Sequence, residues 1–271
     1  MPPRSKPTWP YLTVGNVQNP KLLLLHGFMG SGLDWLEIAE LLSNDFCSIL
    51  VDLPGHGKNI QLPVAEAFSL RVLSAGLGAF LDQCAIQNIS VLGYSMGGRI
   101  ALQFALDFPE KVTNLILEST HPGIADTDLR AQRRLLDKQR AAALDSAGLD
   151  AFVENWYDMP IFQSLHRHPA KLAALKIQRK RNQAAWISKL IVELSPGHQV
   201  PLWDRMVELG MPVLLLAGRD DKKYLDITSK MVDTLAGAQQ VCIPEAGHVT
   251  HWEQPKNFSD IVSHFLLAES P

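Results

Sequence analysis

The sequence predicts a doubly wound α/β fold: a mostly parallel sheet with helices on both faces and a helical cap inserted over its C-terminal edge. Three observations carry this. Short apolar runs recur along the chain, helix-patterned stretches separate them, and one long segment, about 122–200, contains no strand candidate at all. The runs are continuously apolar rather than alternating, as expected for strands buried on both faces.

In order, the strand candidates are "KLLLLHG" (21–27), "CSILVDLPGHG" (47–57), "ISVLGYS" (89–95), "VTNLILEST" (112–120), "PVLLLAGRDD" (212–221) and "QQVCIPEAGH" (239–248). Helical stretches fall at 68–85 and 97–108, the second stopped by Pro109, which cannot continue a helix. Residues 1–121 form the first part of the core, 122–200 the cap and 201–271 the second part of the core. The segment 121–200 carries 12 Lys and Arg against 8 Asp and Glu, although the chain as a whole has a formal charge of −3. A solvated helical surface explains most such charge runs; an anionic ligand is the functional alternative.

Bulk properties exclude several classes. With 46% hydrophobic and 20% charged residues in 271, the chain has an ordinary globular composition and enough length to bury a sizeable core. Its charge gives no reason to expect nucleic acid as a partner. "MPPRSKPTWPYLTV" has no apolar stretch suited to a signal peptide, and "LLLL" and "PVLLLA" are too short to span a bilayer, so no membrane partner is expected. Cys47, Cys84 and Cys242 are far apart and odd in number, which predicts three small core residues in a reducing cytosol rather than a disulfide framework. The histidines lack HExxH or comparable spacing, so no metal is expected.

Chemistry enters at Gly93-Tyr94-Ser95-Met96-Gly97, a G-x-S-x-G between a strand and a helix. A sharp turn there holds Ser95 above the sheet, at a helix N-terminus that favours negative charge. A serine hydroxyl needs a histidine to take its proton and a carboxylate to orient that histidine. In such sheets both partners come from the C-terminal ends of other strands. His248 follows the last strand, and Asp220 and Asp221 follow the strand before it. His198, His251 and His264 compete with His248, but packing or surface roles suit His251 and His264 better. "LLLLHGFMGSG" offers a backbone N–H, with Phe28 the candidate, to pair with that of Met96 as an oxyanion hole. That loop lacks GxxxxGK[ST] and GxGxxG, which argues against nucleotide binding. Arg99, four residues past Ser95, lies on the same helix face, about 6 Å along it.

With these parts in this order, the chain resembles the α/β-hydrolase superfamily over essentially its full length. "LHGFMGSGLDW", "VDLPGHG", "GYSMGGR", "ESTHPGI", "RAQRR", "WYDMPIF" and "GRDDKKY" make it similar to the 2-succinyl-6-hydroxy-2,4-cyclohexadiene-1-carboxylate synthase family of menaquinone and phylloquinone biosynthesis. The resemblance implies a cofactor-free lyase that eliminates pyruvate from 2-succinyl-5-enolpyruvyl-6-hydroxy-3-cyclohexene-1-carboxylate, with Ser95 as base. It implies Asp221 as the acid, counted from Gly218. It also implies Tyr94, Arg99, Arg133 and Trp156 as contacts to a small tricarboxylate. A further cap cation is implied within "IQRKRNQAAW"; Lys180 is selected, with Arg179 and Arg181 left open. A carboxylesterase or carbon–carbon bond hydrolase using the same triad is the principal rival, and a non-catalytic ligand receptor a distant one.

Overall fold

The computed structural model describes residues 9–60 and 67–268. Seven strands form one sheet: β1 (Tyr11–Val14), β2 (Lys21–Leu25), β3 (Cys47–Val51), β4 (Ile89–Tyr94), β5 (Val112–Glu118), β6 (Val213–Gly218) and β7 (Gln239–Ile243). Their order is β1-β3-β2-β4-β5-β6-β7, with β1 antiparallel to β3 and every other neighbouring pair parallel. The helices are α1 (Leu36–Leu41), α2 (Leu70–Gln83), α3 (Met96–Asp107), α4 (Thr127–Tyr157), α5 (Pro169–Arg179), α6 (Ala184–Glu193), α7 (Lys222–Thr234), α8 (Thr250–Glu253) and α9 (Pro255–Ala268).

The continuous apolar runs are explained by two cores, one on each sheet face. Leu23, Leu25, Ile49 and Val91 pack with α2 and α3 on one side. Leu22, Leu24, Leu50 and Leu92 pack with α1 and α9 on the other. Each central strand therefore needs apolar residues at every position, which a one-sided sheet would not. Ser69 caps α2 by accepting the Val72 N–H, and α3 ends two residues before Pro109.

Between β5 and β6 the described chain is helical. The longest helix, α4, begins at the Asp126 cap and is broken at Gly148, whose φ of 80° only glycine adopts without strain. A third apolar cluster, including Leu144, Phe152, Val153 and Ile187, packs these helices onto Met29 and Val249 of the loops above the sheet.

Two expectations change. β1 was not foreseen: it is a four-residue edge strand with an exposed face, too short and too polar in context to stand out. The cysteines are not all core residues. Cys47 is buried in β3, but Cys84 is half-buried, and Cys242 is exposed because β7 is the outer strand of the sheet.

Candidate active site

Ser95 sits between β4 and α3 with φ 50° and ψ −106°, a conformation costly for a residue with a Cβ. The surroundings enforce it. Its N–H donates to the Glu118 carbonyl at 2.9 Å, and its own carbonyl accepts the Thr120 hydroxyl at 2.8 Å. The flanking glycines are required by close backbone approach. A Cβ on Gly97 would lie 2.2 Å from the Leu25 carbonyl oxygen, and one on Gly93 would lie 2.5 Å from that of Gly97.

His248 lies in the loop after β7. Its Nε2 stands 3.2 Å from Ser95 Oγ, and its Nδ1 stands 2.6 Å from Asp221 Oδ2. This fixes the useful tautomer: Nδ1–H donates to the carboxylate, leaving Nε2 to accept the serine proton. His248 and Asp221 are both buried, which protects the pair from competing water. The doubled acid resolves by direction. Asp221 caps α7 and turns inward, whereas Asp220 is exposed and ion-paired with Arg167 at 2.6 Å. Of the competing histidines, His198 and His264 are exposed. His251 is buried against Glu118, away from Ser95 Oγ.

The loop after β2 is pinned by His26, whose Nε2 accepts the Leu53 N–H at 3.1 Å while Nδ1 donates to the Gly27 carbonyl at 2.8 Å. Burial keeps that imidazole neutral by lowering its pKa. Phe28, next in the loop, joins Met96, Arg99 and His121 in the wall of a cavity of about 90 Å³ that also includes Ser95. Met96 is the first residue of α3, so its N–H has no intrahelical acceptor. A wider cavity of about 850 Å³ opens from Ser95 and His248 towards the helices, with Arg133, Arg140, Lys222 and Lys223 in its wall.

The expected contact residues are placed as follows. Tyr94 and Ser95 share a third, small cavity, and Trp156 lines all three. Arg99 is buried and donates to two neutral acceptors, the Leu194 carbonyl at 3.0 Å and Gln199 Oε1 at 3.2 Å. Among the described residues no carboxylate pairs with it. Burial, helped by Arg133, lowers its pKa to about 10, so an incoming anion would stabilise it. Arg133 is held by Asp137 at 2.7 Å while facing the two larger cavities.

Lys180 requires correction. It follows the last residue of α5 and points outward, where its Nζ pairs with Glu154 at 2.6 Å. One residue earlier, Arg179 turns inward, lines the small cavity with Ser95 and makes a two-point ion pair with Asp34 at 2.9 and 2.6 Å. Burial opposes this cation, but Asp34 and Tyr157 outweigh burial and hold its pKa above the ordinary arginine value.

Several lining residues were missed. Arg140 donates to the same Asp137 at 2.9 Å and lies over the Trp156 ring. Its spacing of seven from Arg133 on one helix was the available signal. His121 Nδ1 accepts the Gly123 N–H, so its proton is on Nε2, and burial followed by Arg99 and Arg133 lowers its pKa well below the usual value. Among the described residues, no group of three His, Cys, Asp or Glu side chains is arranged to hold a metal ion.

A serine on an elbow, an inward histidine and a strand-end aspartate, above a mixed sheet in this order, define a class. The chain belongs to the α/β-hydrolase fold family, whose profile matches residues 20–255. More narrowly, it belongs with the 2-succinyl-6-hydroxy-2,4-cyclohexadiene-1-carboxylate synthases. It is 35% identical over 248 residues to a putative synthase of that name from Bacillus subtilis, covering 91% of this chain and 90% of that one. It is 33% identical over 256 residues to the chloroplastic protein PHYLLO of Arabidopsis thaliana, covering 89% of this chain and 15% of that much longer protein. In structure it is similar to MenH from S. aureus, with a TM-score of 0.91 and 33% identity over 96% of this chain and 98% of that one.

Proposed function

We propose that this protein is a lyase that eliminates pyruvate from 2-succinyl-5-enolpyruvyl-6-hydroxy-3-cyclohexene-1-carboxylate, giving 2-succinyl-6-hydroxy-2,4-cyclohexadiene-1-carboxylate. The observation that carries the reading is Arg99: a buried guanidinium that no carboxylate pairs with among the described residues, in the wall of the cavity that holds Ser95. A neutral ester would leave that cation uncompensated, whereas a polycarboxylate meets it.

The geometry supports a base mechanism. Ser95 Oγ takes the proton from the ring carbon beside the succinyl ketone while its own proton passes to His248 Nε2. Asp221 stabilises the imidazolium that forms. The released electron pair makes an enolate, whose oxygen the Phe28 and Met96 N–H groups would hold. Collapse of the enolate shifts the ring double bond and breaks the bond from carbon to the enolpyruvyl oxygen. The departing enolate takes a proton on carbon and becomes pyruvate. Only proton transfers and one C–O cleavage are involved, so the chemistry calls for no cofactor. Arg99, Arg133 and Arg140 supply cations for the substrate's three carboxylates, with Tyr94, Trp156 and Arg179 completing the wall. The three free cysteines are in keeping with a reducing, cytoplasmic setting.

A hydrolase could use the same triad, since one scaffold hosts many reactions. The deciding experiment supplies the enolpyruvyl substrate to the folded protein and follows pyruvate with a coupled assay. Pyruvate release is expected. No turnover, together with a burst of product from activated esters, would favour the hydrolase.

A further inference from the structure

Behind Ser95 lies a second carboxylate and imidazole that the mechanism above does not use. Glu118 ends β5 and is completely buried. Its Oε1 accepts the Thr250 hydroxyl at 2.6 Å and the His251 N–H at 3.1 Å, and its Oε2 stands 2.7 Å from His251 Nδ1. Thr250 and His251 follow His248 by two and three residues and open α8, directly after the loop that holds His248. The main chain of Glu118 meanwhile accepts the Ser95 N–H at 2.9 Å. One residue thus grips the serine elbow through its backbone and the histidine loop through its side chain.

Aromatic packing joins the same two parts. The Tyr94 ring contacts both imidazoles, with centroids 5.4 Å from His248 and 5.0 Å from His251. His251 is also stacked on Trp35, with centroids 4.2 Å apart. Burying a carboxylate and an imidazole together is a poor way to gain stability, because desolvation offsets most of the attraction. Such a pair does fix geometry, since its hydrogen bonds are strong and directional.

We propose that Glu118 and His251 form a positioning pair that sets the distance and angle between Ser95 Oγ and His248 Nε2. Neither exchanges protons with substrate; both act through the triad. The loop has a second tether, since Glu253 Oε1 accepts the Gly247 N–H at 2.9 Å. Weakening the pair should therefore misalign the imidazole without unfolding the loop. The inference rests on the triad reading above but not on the identity of the substrate.

The test substitutes Glu118→Gln, which keeps the size but turns an amide N–H₂ towards His251 Nδ1–H. Two readouts are needed. One is the NMR signal of the proton between His248 Nδ1 and Asp221, assigned by its loss in His248→Gln; this requires no substrate. The other is the kinetics of pyruvate release. The pair predicts a moved or broadened signal and a kcat lower by about tenfold or more, with KM within about twofold. Thr250→Val, which removes one hydrogen bond to the same carboxylate, is the milder variant should Glu118→Gln fail to fold; it should move both readouts the same way, less far. An unmoved signal with unchanged kcat in the folded variants would overturn the pair. A signal that moves in Glu118→Gln, alongside a wild-type protein that releases no pyruvate, would support the pair and overturn the lyase reading.

Discussion

The strand ends and the helices above them hold their residues by different means. At the strand ends, backbone geometry does the work. Ser95 is fixed by a strained φ, by close approach of Gly97 to the Leu25 carbonyl, and by hydrogen bonds to Glu118 and Thr120. In the helices, side-chain pairing does it. Asp137 holds Arg133 and Arg140, and Asp34, from the segment between β2 and α1, holds Arg179. The first arrangement gives a reaction centre with little freedom. The second gives a set of cations whose placement depends on partners that can be exchanged one at a time. Chemistry and recognition are therefore separable here, and substitutions should divide the same way.

The largest effect should come from the strand ends. Ser95→Ala should lower kcat by on the order of a thousandfold or more, because serine and histidine act as a unit; a loss confined to KM would break the distinction drawn here. Next, Asp221→Asn should cost about a hundredfold or more in kcat through the wrong imidazole tautomer, while Asp220→Asn should stay within about twofold. Equal losses at the two positions would contradict the assignment of Asp221. In the recognition set, Arg99→Ala should lower kcat/KM by about tenfold or more, chiefly through KM, whereas Lys180→Ala, which removes a half-buried pair with Glu154 outside the cavities around Ser95, should change it by less than about twofold. A larger effect at Lys180 than at Arg99 would reverse the order of the two.

The same division explains what could be read in the sequence. The strand candidates, the elbow and His248 follow from local patterns, because a buried parallel strand and a serine turn each demand particular residues within a few positions. Asp220 and Asp221 are equivalent on that basis; only the direction each takes at the start of α7 separates them. Arg179 and Lys180 are less legible still. Which of the two faces inward depends on Asp34, 145 residues away, and no local pattern contains it. Glu118 and His251 illustrate the same limit, being 133 positions apart and each unremarkable alone. The edge strand β1 was illegible for a simpler reason: four residues with an exposed face carry little periodicity.

The central claim is that Ser95, set by His248, removes a proton rather than accepting an acyl group. Intact-protein mass spectrometry of enzyme quenched during turnover tests it most directly, with pyruvate measured in the same samples. The account predicts that pyruvate accumulates while the mass of the chain stays unchanged. A substrate-derived adduct on Ser95 that forms and decays at the rate of turnover would contradict it.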